Sequence, residues 1–480
     1  MSSHQGAVRV ESDSLGTREL PASAYYGIHA LRGRENFPIT GETVSGALIE
    51  AIAMVKKAAA LANEDAGLLS AERAQAIAKA CDRLLAGELH DQFIVDPIQG
   101  GAGTSFNMNA NEVIANAALE MLGAEKGDYV RISPLNHVNM GQSTNDAVPS
   151  AIHIAAINKL DMLLAEMKLL SAAFGDCAER FKDLIKMGRT HLQDAVPIRL
   201  GQEFNAYKQV CDRDIERIAR SRAELMEVNL GATAVGTGLN ADKFYVERVV
   251  ARLIEISGLP LRSVEDLVDG TQNTDCYTVV SAALKVCMLN MSKIANDLRL
   301  MASGPRCGLG ELLLPPRQAG SSIMPGKVNP VMAEVLNQVA FQVVGNDLAV
   351  SLASEAGQFE LNVMEPVITR NLLESIKIMR NVFAVFRKYL LQDLKADEKR
   401  MRENVERSAG VLTAFAPYIG YEAAADIAKK ALASNVPVKE LLLQEKLLSQ
   451  EEIDLILDPY EMTRVGIAGY EKVKKLRGEK

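Results

Sequence analysis

The chain has 480 residues, with 53 Lys+Arg against 61 Asp+Glu, which leaves a net charge of −8 at pH 7. An acidic balance of this size excludes an extended nucleic-acid or anionic-membrane interface, because counterion-releasing contacts need a basic face. At 48% hydrophobic and 24% charged it lies in the globular range and far from the disordered one; Trp is absent and aromatics make up only 5%, so Ala, Leu, Met, Val and Ile must fill the interior, a composition that leans towards α-helix.

The opening segment from Met1 to Gly16 mixes His4, Arg9, Glu11 and Asp13 with small polar residues and has no apolar stretch of the kind a secretory signal needs. Gly16, Pro21, Gly27, Gly33 and Pro38 punctuate the first forty residues, which are expected to be irregular. Helical periodicity begins at Ala47 to Ala62, where Leu48, Ile52, Val55 and Ala59 share a face. Further helices are expected over Ser70 to Leu85, with Ser70 as N-cap, and over Asn107 to Leu122 after three glycines between Gln99 and Ser105.

Longer helices follow over Asn145 to Arg180, with Pro149 in the first turn, and over Leu200 to Asn229. Asn273 to Ser303 contains neither Gly nor Pro. Its apolar positions surround most of the circumference, so several sides must be covered, as in a bundle built from more than one subunit. Pro330 to Leu391 stays helical with a break around Gly357 and Pro366. After Leu394 shorter helices, more Lys and Glu, and four Pro or Gly punctuations mark a small separate region. No uninterrupted apolar run approaches the ~18 to 20 residues of a membrane span. Six cysteines without CxxC or CxxH spacing read as reduced thiols, consistent with a cytoplasmic protein.

Four segments concentrate hydroxyl and amide side chains beside glycine and abut long helices: Gly100 to Glu112, Gly141 to Ala147, Gly188 to Asp194 and Gly320 to Pro330. Any one of them could be capping and turn chemistry. The fourth fails as a phosphate-binding loop, because its glycine spacing is one residue too long and Val328 stands where a Mg²⁺-binding hydroxyl belongs. Lys327, Asn329, His191, Thr104, Ser143, Thr144 and Thr190 are donors without a carboxylate cluster or Cys/His ligand spacing. Such an inventory suits a small anion rather than a metal, with Lys327 and the further candidates Arg32 and Arg189 as local cations on an acidic surface.

Gly320-Ser-Ser-Ile-Met-Pro-Gly-Lys-Val-Asn-Pro330 resembles the signature of the fumarase/aspartase superfamily, and Gln142-Ser-Thr-Asn-Asp-Ala147, Gly188-Arg-Thr-His-Leu-Gln-Asp-Ala-Val-Pro197 and Thr104-Ser-Phe-Asn-Met-Asn109 resemble its other blocks. The likeness runs over essentially the whole chain. Gln-Ser-Thr-Asn-Asp-Ala and Asn362-Val-Met-Glu-Pro366 are more similar to its ammonia-lyases of L-aspartate than to class II fumarases, which form the alternative; a catalytically inert helical scaffold of the same fold is the further one.

The resemblance implies a mainly α fold of three domains, at 1–142, 143–398 and 399–480, whose central long-helix bundle assembles with those of three other subunits into a tetrameric core with composite active sites. It implies Ser321 as the base, its alkoxide stabilised by backbone N–H groups around Ile323, Met324 and Gly326 with Lys327 nearby. Thr104, Ser143, Thr144 and Ser322 would hold the β-carboxylate, and Lys327, Asn329 and Thr190 the α-carboxylate. Asn145 and His191 would hold the amino group, with protonation of the departing ammonia as the alternative, catalytic role of His191, and Glu334 would support the motif lysine. No cofactor or metal ligand set is implied, and Mg²⁺ activation is left open.

Overall fold

The computed structural model describes residues 7–434 and 436–479, so part of the segment read around His4 lies outside the described residues. The chain divides into two compact units: Met1–Ala165 with Ile215–Met288 and Val339–Arg380, and Glu166–Asp214 with Leu289–Gln338 and Asn381–Lys480.

In the first unit, helix Gly46–Asp65 buries Leu48, Ile52, Val55 and Ala59. Fully burying a side chain such as Ile52 contributes about 2 kcal/mol. This helix packs on Ala71–Leu85, which in turn packs on Thr104–Met121. Ser70 occupies the N-cap position as expected, but its side chain makes no capping hydrogen bond. The first forty residues depart from the expected irregular structure. Val8–Asp13 and Gly16–Pro21 form an antiparallel hairpin in the register Val8 to Pro21, and Ile28–Asn36 is a helix. Glu112 anchors that helix by accepting hydrogen bonds from the N–H groups of Gly27, His29 and Ala30 at 2.8, 2.8 and 3.1 Å.

The long helices are Thr144–Arg180, Leu200–Ala223, Asp275–Met301, Val331–Glu355 and Glu365–Phe386. The helix expected over Leu200 to Asn229 therefore ends at Ala223, where Glu224–Met226 tightens into a 3₁₀ turn and Glu227–Val228 pairs as a short strand. Thr144–Arg180 and Asp275–Met301 are long and apolar enough to cross a membrane by length and composition alone, although neither is an uninterrupted apolar run. Isolated Lys, Ser and Asn interrupt the apolar run without lowering its mean hydropathy enough. Of the apolar window, 78% is buried inside the protein in the first helix and 56% in the second.

The second unit contains a hairpin, Ile185–Thr190 with Gln193–Arg199, and a cluster of short helices from Glu398–Arg407 to Tyr470–Leu476. Phe415, Leu442, Ile453 and Ile456 are fully buried there and pack with Met187 from the hairpin, so this region has a core of its own.

Candidate active site

Thr104 opens helix Thr104–Met121 directly after Gly103, whose φ of +90° provides the sharp entry, and its Oγ1 donates to the Gly101 carbonyl at 2.7 Å. Thr144 opens helix Thr144–Arg180, and its Oγ1 accepts from Asn107 Nδ2 at 3.2 Å. Because Asn107 lies in the first turn after Thr104, this bond brings the two helix beginnings together. Adjoining helix N-termini bring their positive dipole ends together and favour an anion, although the Thr104, Phe106 and Asn145 N–H groups already have protein acceptors. A cavity of about 820 Å³ in the same unit reaches Gly103 and Val148 and is lined also by Lys159 and Lys377 and by Arg370, which is paired with Glu42 and Glu374 in the same wall.

Beneath this surface lies a buried polar layer. Lys56 is fully buried in the face of helix Gly46–Asp65 and donates to Asn139 Oδ1 at 2.9 Å and Gln142 Oε1 at 2.8 Å. Asn139 Oδ1 also accepts from Asn107 and Asn111, each at 3.2 Å. Asp146, likewise buried, accepts the Ser143 N–H on Oδ1 at 2.9 Å and the N–H groups of Gly231 and Thr233 on Oδ2 at 3.1 and 3.0 Å. Loss of solvation pushes Lys56 down to about 7 and Asp146 up to about 6; the backbone donors and Lys56 oppose the rise at Asp146. Sequence reasoning missed this layer. A lysine one turn below Ile52 on an otherwise apolar helix face was the available signal, because lysine is almost never fully buried without partners.

Asn145 and Ser143 are held differently. The Asn145 N–H donates to Ser143 Oγ at 3.2 Å, and its Nδ2 donates to the Ala234 carbonyl at 2.7 Å.

In the second unit, the segment around His191 is the tip of the hairpin rather than a loop. His191 and Leu192 form its two-residue turn at φ +56° and +61°, the left-handed pair that matches the twist of the flanking strands. Thr190 ends the first strand beside it, and both side chains are exposed. Arg189 is committed elsewhere, with a guanidinium N–H on Glu311 Oε1 at 2.7 Å; in the first unit Arg32 is bound to Asp13 at 2.7 and 2.9 Å. Neither remains a cation for substrate. Lys327 has no ion-pair partner among the described residues.

The loop from Gly320 to Pro330 closes on itself. Asn329 Nδ2 donates to the Gly320 carbonyl at 2.7 Å, and a Cβ on Gly320 would stand 1.7 Å from the Lys327 carbonyl oxygen, so only glycine permits this closure. Ser321 Oγ accepts N–H groups from Ile323 at 3.2 Å and Met324 at 3.0 Å. These are two of the three backbone donors expected; Gly326 instead takes the turn at φ +82°. Ser322, Ile323, Met324 and Lys327 are exposed. Glu334 lies in the first turn of helix Val331–Glu355, where its carboxylate makes no ion pair with Lys327. The structure thus gathers Thr104, Ser143, Thr144 and Asn145 in one unit. It places Thr190, His191, Ser321, Ser322, Lys327 and Asn329 in the other, with no hydrogen bond joining the hairpin tip to the loop.

This fold and donor set define a member of a lyase family. A family model described as "Lyase" matches residues 16–345, and one described as "Fumarase C C-terminus" matches residues 411–464; the chain belongs to this fumarase/aspartase superfamily of lyases. Among curated proteins it is 62% identical to aspartate ammonia-lyase of Bacillus subtilis (strain 168), over 98% of this chain and 99% of that one. It is 51% identical to aspartate ammonia-lyase of Pseudomonas aeruginosa, over 95% and 96%. Among solved structures, a fumarate lyase:delta crystallin from Brucella melitensis bound to cobalt matches with a TM-score of 0.93 at 46% identity, over 95% of this chain and all of that one. A class II fumarase from Schistosoma mansoni matches with a TM-score of 0.91 at 32% identity, over 95% and 99%.

Proposed function

We propose that the protein is an aspartate ammonia-lyase, which removes ammonia from L-aspartate to give fumarate. The near full-length identity to proteins of that name supports the reaction. The observation that carries the mechanism is the pair of backbone N–H groups on Ser321 Oγ. A serine hydroxyl is a poor base unless its alkoxide is stabilised, and two preorganised donors do that.

Removing a Cβ proton places a second negative charge on the β-carboxylate as an enediolate, which must be met by donors already in place. Thr104, Ser143, Thr144 and Ser322 are assigned to it, each such donor lowering the barrier by roughly 3 kcal/mol if it acts as an oxyanion-hole group. Lys327, Thr190 and the second N–H of Asn329 Nδ2, the first being spent on Gly320, are assigned to the α-carboxylate. Asn145 and His191 receive the amino group. Glycines at both ends suit a loop that closes over bound substrate and excludes water.

The assembly belongs to this proposal: a cytoplasmic homotetramer of three-domain subunits divided at 142/143 and 398/399, with each site completed by other copies. Exposed apolar side chains support association, including Val279, Leu289 and Leu300 on helix Asp275–Met301 and Phe341, Leu348 and Leu352 on helix Val331–Glu355. The test is the ultraviolet absorbance of fumarate on incubation with L-aspartate or L-malate. A signal from aspartate supports the reading; a signal from malate alone would replace it with a fumarase. Sedimentation tests the assembly, which an active monomer would refute.

A further inference from the structure

Asn145 sits at the start of a long helix, yet its side-chain orientation is fixed from a segment almost ninety residues away. The Ala234 carbonyl can only accept, and Asn145 Nδ2 stands 2.7 Å from it. The amide nitrogen therefore faces the protein, and Oδ1, for which no protein donor is present among the described residues, faces outward as an acceptor. An acceptor recognises an ammonium or ammonia N–H. Had the amide been reversed, a donor would face the same point and repel it.

The turn carrying Ala234 is held in an uncommon geometry. Gly231 has φ +102° and Thr233 has φ +58°, the latter in the left-handed region that a β-branched residue avoids. Asp146 Oδ2 accepts both of their N–H groups, so the buried carboxylate one residue after Asn145 in sequence determines where the Ala234 carbonyl stands. Asn229 Nδ2 completes the tie by donating to the Asn145 carbonyl at 3.0 Å. The same carboxylate holds the Ser143 N–H, where Lys56 on Gln142 and Asn107 on Thr144 add further anchors. In the turn the Ala232 N–H reaches the Asn229 carbonyl, but the N–H groups of Gly231 and Thr233 go to Asp146, so the two positive-φ residues depend on it.

We infer that the turn 231–234, pinned by Asp146, is the positioning element that presents Asn145 Oδ1 to the amine and so sets selectivity for ammonia as leaving group and nucleophile. This rests on the ammonia-lyase reading. It assigns Asp146 and the Ala234 carbonyl to orientation, with no direct contact to substrate.

The test uses the assembled enzyme in the amination direction, measuring the Michaelis constants for ammonia and fumarate separately. In Gly231→Ala a Cβ at positive φ would stand 3.1 Å from Val246 Cγ1 and displace the turn while leaving the bond from the Ser143 N–H to Asp146 Oδ1 in place. The constant for ammonia is expected to rise on the order of 10-fold, and that for fumarate by less than about 3-fold. Asp146→Ala removes both acceptor oxygens and is expected to raise both constants, ammonia the more; either variant alone decides. Equal rises in the two constants, or an unchanged ammonia constant, would show a merely structural role and overturn the inference. Wild-type protein that cannot aminate fumarate at all overturns the underlying function instead, so the two failures are distinguishable.

Discussion

Ser143 and Ser321 stand at opposite extremes of support. Below Ser143 lie a buried lysine, a buried aspartate and several asparagine amides, linked by bonds of 2.8 to 3.2 Å. Around Ser321 the side chains of Ser322, Ile323, Met324 and Lys327 are exposed, and the loop is held by its own backbone and by Asn329. A group that only has to hold charge gains from rigidity, since donors fixed in advance need no reorganisation. A base that must meet a substrate after it enters gains from a loop that can open and close. Under the proposed mechanism the contrast separates a preformed platform from a closing arm.

The largest expected effect is on the arm. Ser321→Ala should lower kcat at least about 10³-fold in the fumarate absorbance assay, on the scale of losing a catalytic base, while the thermal midpoint stays within a degree or two because the side chain is only partly buried. A large fall in stability would contradict the loosely built arm.

The platform should answer differently. Lys56→Met leaves Gln142 Oε1 without its donor and is expected to reduce kcat/KM on the order of 10-fold to 100-fold. It also carries a pH signature. The pKa of Lys56 falls from 10.5 unfolded to about 7 folded, so between pH 7 and about 10 the unfolded chain binds a proton that the folded one does not. Wild-type stability should therefore rise with pH relative to Lys56→Met, by roughly 1.4 kcal/mol per pH unit in that window, and the advantage is lost as pH falls through 7. Denaturant titrations of both proteins at pH 7 and pH 9 measure it; parallel shifts would place Lys56 in contact with water.

The smallest effect concerns the hairpin tip. Leu192 is exposed and held at φ +61°, so Leu192→Gly should raise stability by at most about 1 kcal/mol, read as a small increase in melting temperature. A decrease would mean that the leucine makes a contact in the assembled protein.

The helices were legible because their apolar faces repeat with the helical period, as at Leu48, Ile52, Val55 and Ala59. The four polar segments were legible because their residue order is specific. What escaped was fixed by partners distant in sequence. Val8 to Pro21 looked irregular from its glycine and proline, although Ser14 and Leu15 turn the hairpin and Gly16, at φ +112°, opens its second strand opposite Asp13. His191 looked like part of a loop because neither His nor Leu advertises a left-handed turn. Asp146 stood in plain view inside its motif, but its role depends on N–H groups of Gly231 and Thr233, and local periodicity carries no trace of such a pairing.

Phe341, Leu348 and Leu352 follow one another at helical spacing on one face of Val331–Glu355 and are 67%, 60% and 62% exposed in the isolated chain. In the proposed assembly a second copy covers this surface, and the stabilisation gained there would obey mass action. Stability would then be a property of concentration, growing with its logarithm, and dilution alone would unfold what heating at higher concentration leaves intact.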